Sequence, residues 1–505
     1  MSVCDQAYGS FHQPRHHLPK PIARTRWHLS SARLRWGVLG TWIAVSLAAC
    51  GGGAKGDYSA LASATVAPAP AAPATPAEPP PAATYKVAGT VSGLLGAGLV
   101  LQNNAGDDLA IAANGSFSFA TALPSGSTYA VTVKSQSRIL TRVCTVTNGA
   151  GAVADAAVGN VVVNCAAPAA RFAYAANFGS NNLFPYSIDA STGALGSMAG
   201  PMVGTGTAPA SIAVDPTGRF AYVANAFSDN VSAYTIDGST GVLSPMGVPT
   251  VAAGTGPFSI AVDPTGRFAY VANRDSNDVS GYTIDAASGA LTPMTVPTVS
   301  AGALPYFIAV DPTGRFAYVA NAGSHSVSAY TIDANSGALS PAAVPTVPAG
   351  SLPYSIAVDP TGRFVYVANT YSDNVSAYTI DAGTGALIPM TGAMIGTGHY
   401  PQSIAVDPTG RFAYVANFLS DDVSAYTIDA ETGALSPMAT PTVAARTAPA
   451  AVSVDPTGRF AYVTNSSSKD VSAYTIDAIT GALNPMAVST VATGGNSPRS
   501  FALSR

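Results

Sequence analysis

Between Arg171 and Arg505 the apolar residues fall in short runs that return every 48 positions. One unit reads Ser211-Ile212-Ala213-Val214, then Asp215-Pro216-Thr217-Gly218, then Phe220-Ala221-Tyr222-Val223-Ala224. Runs this short, bounded by turn residues, are strands rather than helices. Their apolar positions are consecutive rather than alternating, so both faces of these strands are expected to be buried. Asp can bond its own following backbone, Pro sets φ and Gly tolerates φ > 0, which makes the tetrapeptide a tight turn. A third strand, Val231-Ser232-Ala233-Tyr234-Thr235-Ile236, follows a Ser228-Asp229-Asn230 loop. After Asp237-Gly238-Ser239-Thr240-Gly241 a fourth, less regular strand ends near Val251.

The hexapeptide Asp-Pro-Thr-Gly-Arg-Phe begins at 215, 263, 311, 359, 407 and 455, and Arg171-Phe172-Ala173-Tyr174 is a further copy that starts in mid-unit. Seven units of 48 make 336 residues, against 335 from 171 to 505. A fixed period of this length in strand-forming sequence predicts a seven-bladed β-propeller over residues 168–505. The first copy lacks its initial strand, while the chain ends Ser500-Phe501-Ala502-Leu503. The C-terminal strand is therefore expected to complete the blade begun at Arg171, leaving no open edge.

Residues 84–167 carry short alternating runs such as Tyr129-Ala130-Val131-Thr132-Val133, separated by the turn signals Asn114-Gly115 and Asn148-Gly149. They predict a small β-sandwich of six or seven strands. It resembles the immunoglobulin-like spacers of bacterial surface proteins. The fold class is thus all-β, a seven-bladed propeller behind an N-terminal small sandwich. Residues 51–83 are rich in Ala, Pro and Gly and read as a disordered tether.

Residues 1–50 read as a signal peptide: Arg24, Arg26, Arg33 and Arg35 precede an apolar stretch from Trp36 to Ala49 that is too short to span a membrane. Leu47-Ala48-Ala49-Cys50 resembles a bacterial lipobox. That resemblance implies lipidation of Cys50 and a membrane-anchored protein of the cell envelope, and Gly51 after the cysteine suggests the outer membrane. In an oxidising compartment the remaining pair, Cys144 and Cys165, is expected to form a disulfide, whose 21-residue loop contributes about 3 kcal/mol.

Composition narrows the chemistry. The net charge is −4 and only 10% of residues are charged, so there is no basic surplus for nucleic acid. No ligand set calls for a metal or other cofactor. The Asn after each second strand, such as Asn225 and Asn273, belongs to hairpin-turn chemistry more than to a calcium site, which needs six to eight convergent oxygens.

The runs Val231 to Asp237 and Thr432-Gly433-Ala434-Leu435-Ser436-Pro437-Met438, with the Asp-Pro-Thr-Gly-Arg-Phe turn and Tyr462-Val463-Thr464-Asn465, resemble the seven-bladed lactonase family and its Tyr-Val-Thr-Asn repeat relatives. The resemblance implies a site of His, Arg and Glu around the central opening, with His often near the proline that opens the first strand. The corresponding positions here are Ser211, Ser259, Phe307, Ser355, Ser403, Ala451 and Ser500. A 6-phosphogluconolactonase would also need Arg or Lys for its phosphate.

Strand order puts the loops before the first strand and after the second on one face, which varies between units. Phe258, Tyr306, Tyr354, Tyr400, Phe178, Phe227, Tyr371 and Phe418 lie there, with His325, His399, Gln402, Arg274 and Arg499. This composition suits a glycan, peptide or protein ligand. The expected function is accordingly a non-catalytic, surface-tethered binding or scaffold module. The alternative is a lactone hydrolase drawing on His399, Arg274, Glu431 or Arg499. On the other face Arg219 and its equivalents are expected to pair with the Asp four residues earlier, and Glu431 is expected to be a solvated turn residue.

Overall fold

The computed structural model describes residues 82–95, 97–137, 142–198 and 202–504. The signal segment with Cys50, and nearly all of the tether, lie outside the described residues.

The repeat region is built of four-stranded antiparallel sheets. The first complete one runs Pro209–Val214, Phe220–Asn225, Asn230–Ile236, Leu243–Ala252 from inside to outside. Five more follow with the same order. A further sheet starts at Phe172–Asn177 and takes its innermost strand from the far end of the chain, Pro498–Ser504, with Phe172 opposite Ser504 and Ala176 opposite Ser500. This architecture is a β-propeller, and the C-terminal strand pairs where the repeat arithmetic expects it. The outer strands carry prolines, as at Pro245 and Pro249, which remove edge donors that could pair with another chain.

Each repeated Asp is the keystone of its turn. Asp215 is 4% exposed, and its carboxylate accepts the amides of Thr217 at 2.9 Å, Arg219 at 2.8 Å and Phe220 at 2.7 Å, plus the Thr217 hydroxyl. Those bonds occupy its lone pairs, so the expected Asp–Arg pairing is not made. The Arg219 guanidinium instead lies 4.6 Å from the centroid of Phe220 and donates to the carbonyls of Ala286 and Ala287 in the next sheet. Arg267, Arg363, Arg411 and Arg459 make the same bridge to a neighbouring blade.

Two sets of tyrosines close the contacts between blades. On the second strands, the Tyr222 hydroxyl donates to Gly289 at 2.7 Å in the following blade, and Tyr462 to Gly193 at 2.7 Å across the point of closure. On the third strands, Tyr234 donates back to Gly204 and Tyr282 to Ala252, both at 2.6 Å. Gly241 shows why the receiving turn needs glycine: its φ is +74°, and a Cβ there would sit 2.3 Å from the Phe172 ring.

Among the described residues, those before the propeller form ten strands rather than six or seven. Two four-stranded sheets share a core that includes Val87, Leu99, Leu101, Phe119 and Val163. Cys144 and Cys165 face each other on neighbouring strands and are joined as a disulfide.

Candidate functional site

Every inner strand opens with a proline and then loses register for one residue. Pro209 pairs with Asn225 and Ser211 with Ala224, so Ala210 is bulged out of the ladder. The same irregularity recurs at Phe258, Tyr306, Tyr354, Gln402, Ala450 and Arg499. A bulge re-aims a side chain, and here it aims them at one another. The Phe258 and Tyr306 ring centroids are 4.7 Å apart, Tyr306 and Tyr354 also 4.7 Å, and Phe258 and Tyr354 6.3 Å. Residues 48 apart on successive blades can touch in this way only by pointing toward the common axis.

Arg499 joins them from across the ring. Its guanidinium donates to the Tyr354 hydroxyl at 2.5 Å and lies 5.0 Å from the ring centroids of both Phe178 and Phe258. Among the described residues no carboxylate comes within ion-pair distance of it. Aromatic faces stabilise this cation without neutralising it. Arg274 also lies over Phe258, at 5.4 Å, but Asp275 holds it with bonds of 2.7 and 3.0 Å. That carboxylate keeps Arg274 firmly protonated and cancels its charge. Gln402 occupies the corresponding bulge two blades from Arg499 and is 7% exposed. The mouth thus has an aromatic side (Phe258, Tyr306, Tyr354), a small side (Ala210, Ala450), a cation without a carboxylate partner among the described residues, and the Gln402 amide.

The other expected residues divide. Phe178 packs into the mouth cluster. Phe258 does not present an exposed face, being 6% exposed beneath its neighbours. Phe227 and Tyr371 remain exposed, and Tyr371, Tyr400 and Phe418 form a separate rim group with centroids 5.6 and 6.1 Å apart. His399 is on that rim, with Nδ1 2.8 Å from Asp373. Burial would raise the Asp373 carboxyl, but the Tyr400 amide and His399 hold it below its ordinary value. The pair is a solvent-facing imidazole oriented by a carboxylate, three residues before Gln402. Its partner Asp373 has no signature in the sequence beyond the turn position it shares with Asp229 and Asp421.

His325 fills that same turn position in its blade, where Nδ1 accepts the Leu352 amide at 3.0 Å as Asp229 accepts the Gly256 amide. It is a loop cap. Glu431 stays in the Asp429 turn at the opposite end of the blades, exposed and apart from both arginines. The serines are also structural: Ser211 accepts the Ile260 amide of the next inner strand at 3.3 Å, Ser259 that of Ile308 at 3.2 Å, and Ser500 that of Ile212 at 3.2 Å. They satisfy donors that inner strand edges would otherwise leave bare. The positions facing the axis are the residues directly after each proline, one before these serines. Asn225 and Asn273 are wholly buried and donate to Ser232 and Ser280 at 2.9 Å, which commits their carboxamide nitrogen to the blade.

A closed ring of four-stranded sheets with a polar and aromatic mouth on its axis defines a propeller with a central site. The family model described as "Lactonase, 7-bladed beta-propeller" matches residues 125–258, 248–352, 342–446 and 436–505. The chain belongs to that family. Among solved structures it is similar to the periplasmic gluconolactonase of Pseudomonas aeruginosa, with 19% identity, a TM-score of 0.56, and coverage of 66% of this chain and 99% of that one. A protein from Lactobacillus plantarum is 22% identical with a TM-score of 0.56, covering 67% of this chain and 100% of that one. A candidate 6-phosphogluconolactonase from Bacteroides fragilis is 17% identical with a TM-score of 0.57, covering 66% and 98%. No curated protein matches the sequence. The expectation of a non-catalytic binding or scaffold module is overturned by membership of a lactonase family, which favours the hydrolase alternative.

Proposed function

We propose that this protein is a lactone hydrolase that works at the bulge-lined mouth of a seven-bladed propeller. The observation that carries the reading is Arg499, a cation without a carboxylate partner, bonded to the Tyr354 hydroxyl on the axis of a lactonase-family ring. Attack of water on a lactone carbonyl builds negative charge on oxygen. A preorganised guanidinium and phenol in a partly desolvated mouth stabilise that charge more than they stabilise the neutral carbonyl. The lactone ring lies against Tyr306 and Tyr354, and the Gln402 amide bonds its hydroxyls. His399, oriented by Asp373, accepts the proton of the attacking water and returns it to the ring oxygen as the intermediate collapses and the ring C–O bond breaks, giving the hydroxy acid.

The small sandwich of residues 84–167 serves as a spacer and residues 51–83 as a tether from a lipidated Cys50. The periplasmic location of the similar Pseudomonas aeruginosa gluconolactonase supports a site in the cell envelope. A pH-stat assay of the intact protein with gluconolactone-type and homoserine-lactone substrates tests the activity. Acid release above the spontaneous rate supports the reading, and rates equal to buffer alone for both classes defeat it.

A further inference from the structure

The opposite end of the channel carries a second feature that lactone hydrolysis does not use. Six inner strands finish in a valine and run into an Asp-Pro turn, so the prolines of successive blades surround that opening beside the closing strand, which ends at Ser504. A cavity of about 320 Å³ is lined there by Pro216, Pro312, Pro360, Pro408 and Pro456, with Leu503 of the closing strand. An adjoining cavity of about 270 Å³ adds Pro264. Prolines have no amide hydrogen, and the Asp215 carboxylate is filled by its own turn. The wall therefore offers water few partners, which makes it a dry, apolar surface.

Arg142 and Leu95 complete the lining of the larger cavity. Arg142 donates to the Cys165 carbonyl at 3.3 Å, and among the described residues no carboxylate pairs with it. Asp215 also lines the cavity without a cation partner, but its two oxygens already accept four bonds from its own turn, so Arg142 is the charged group in this wall with donors to spare. A pocket in the lower part of the small-ligand range, about 300–1,000 Å³, with such a donor beside apolar prolines fits an unbranched apolar chain ending in one anionic group.

We propose that this cavity binds a medium-chain alkyl carboxylate, with the chain against the turn prolines and the carboxylate on Arg142. The site is separate from the bulge-lined mouth, and the inference does not rest on the lactonase reading.

Titration calorimetry of the intact protein with hexanoate, octanoate, decanoate and decanol tests it. One ligand binds per chain, and affinity rises about fourfold with each added methylene until the cavity is full. Arg142→Gln weakens decanoate at least tenfold and leaves decanol unchanged. Ala167→Trp, which fills the cavity from its wall, removes binding of both; Leu95→Trp serves if that variant does not fold. Lactone turnover, measured in parallel, is the same in Arg142→Gln as in the parent, so loss of either property is read independently. Absence of saturable decanoate binding to the parent protein overturns the proposal, as does decanoate binding that ignores Arg142→Gln or survives both tryptophan variants.

Discussion

The Arg499 guanidinium meets the Tyr354 hydroxyl at 2.5 Å although 145 residues separate them in the chain. The contact exists because the last strand returns to the first blade, carrying Arg499 to the axis opposite the blade of Tyr354. Closure of the ring and assembly of the candidate site are the same event.

That coupling makes the closing strand indispensable. Removing residues 498–505 strips Phe172–Asn177 of its inner neighbour and uncovers the Phe501 packing against Tyr186 and Tyr462. An exposed apolar edge of this kind pairs with other chains. The truncated protein is expected to be aggregated or trypsin-sensitive under conditions where the full chain is monodisperse. Size-exclusion chromatography and limited proteolysis measure this.

The inter-blade tyrosines set a second expectation. Tyr222→Phe removes the donor to Gly289 and leaves a buried carbonyl unsatisfied, which costs about 1–3 kcal/mol. Tyr371→Phe, on an exposed rim residue, changes stability by less than about 0.5 kcal/mol. Denaturant midpoints of the two variants separate a bond that holds blades together from a ring that does not.

The same groups shape the response to pH. Burial pushes the hydroxyls of Tyr282 and Tyr378 up to about 12, against about 10 in an unfolded chain. Because the folded value is the higher one, their stabilisation is complete below about pH 10 and is lost as pH rises from there toward 12. The turn aspartates run the other way. The Ser239 and Thr240 hydroxyls and amides hold Asp237 far below the carboxylate range. Its contribution is present above about pH 4, the unfolded value, and is lost as pH falls below it. Urea midpoints are therefore expected to be flat from about pH 5 to 9 and to fall on both sides.

Much of this was legible in the sequence because the repeat is strict. The 48-residue interval located the sheets, the turn residues their boundaries, and the truncated first unit the strand that closes them. The site was harder to read. Phe258, Tyr306, Tyr354 and Arg499 are visible as a variable set, but their convergence depends on a one-residue bulge that shifts the axial position from Ser211 and its equivalents to the residue before. Aligning the seven segments on their prolines exposes that column. The turn signature points Asp215 at its own following amides, but not that the turn wraps the carboxylate so closely that no lone pair is left for the Arg219 guanidinium.

Steady-state hydrolysis of a gluconolactone-type substrate by the parent protein and by Arg499→Gln, with melting temperatures recorded for both, decides whether Arg499 stabilises the oxyanion. In Arg499→Gln, kcat/KM is expected to fall by about 10²–10³ while the melting temperature moves by only a few degrees. An Arg499→Gln variant that turns over the lactone at the parent rate would contradict that role.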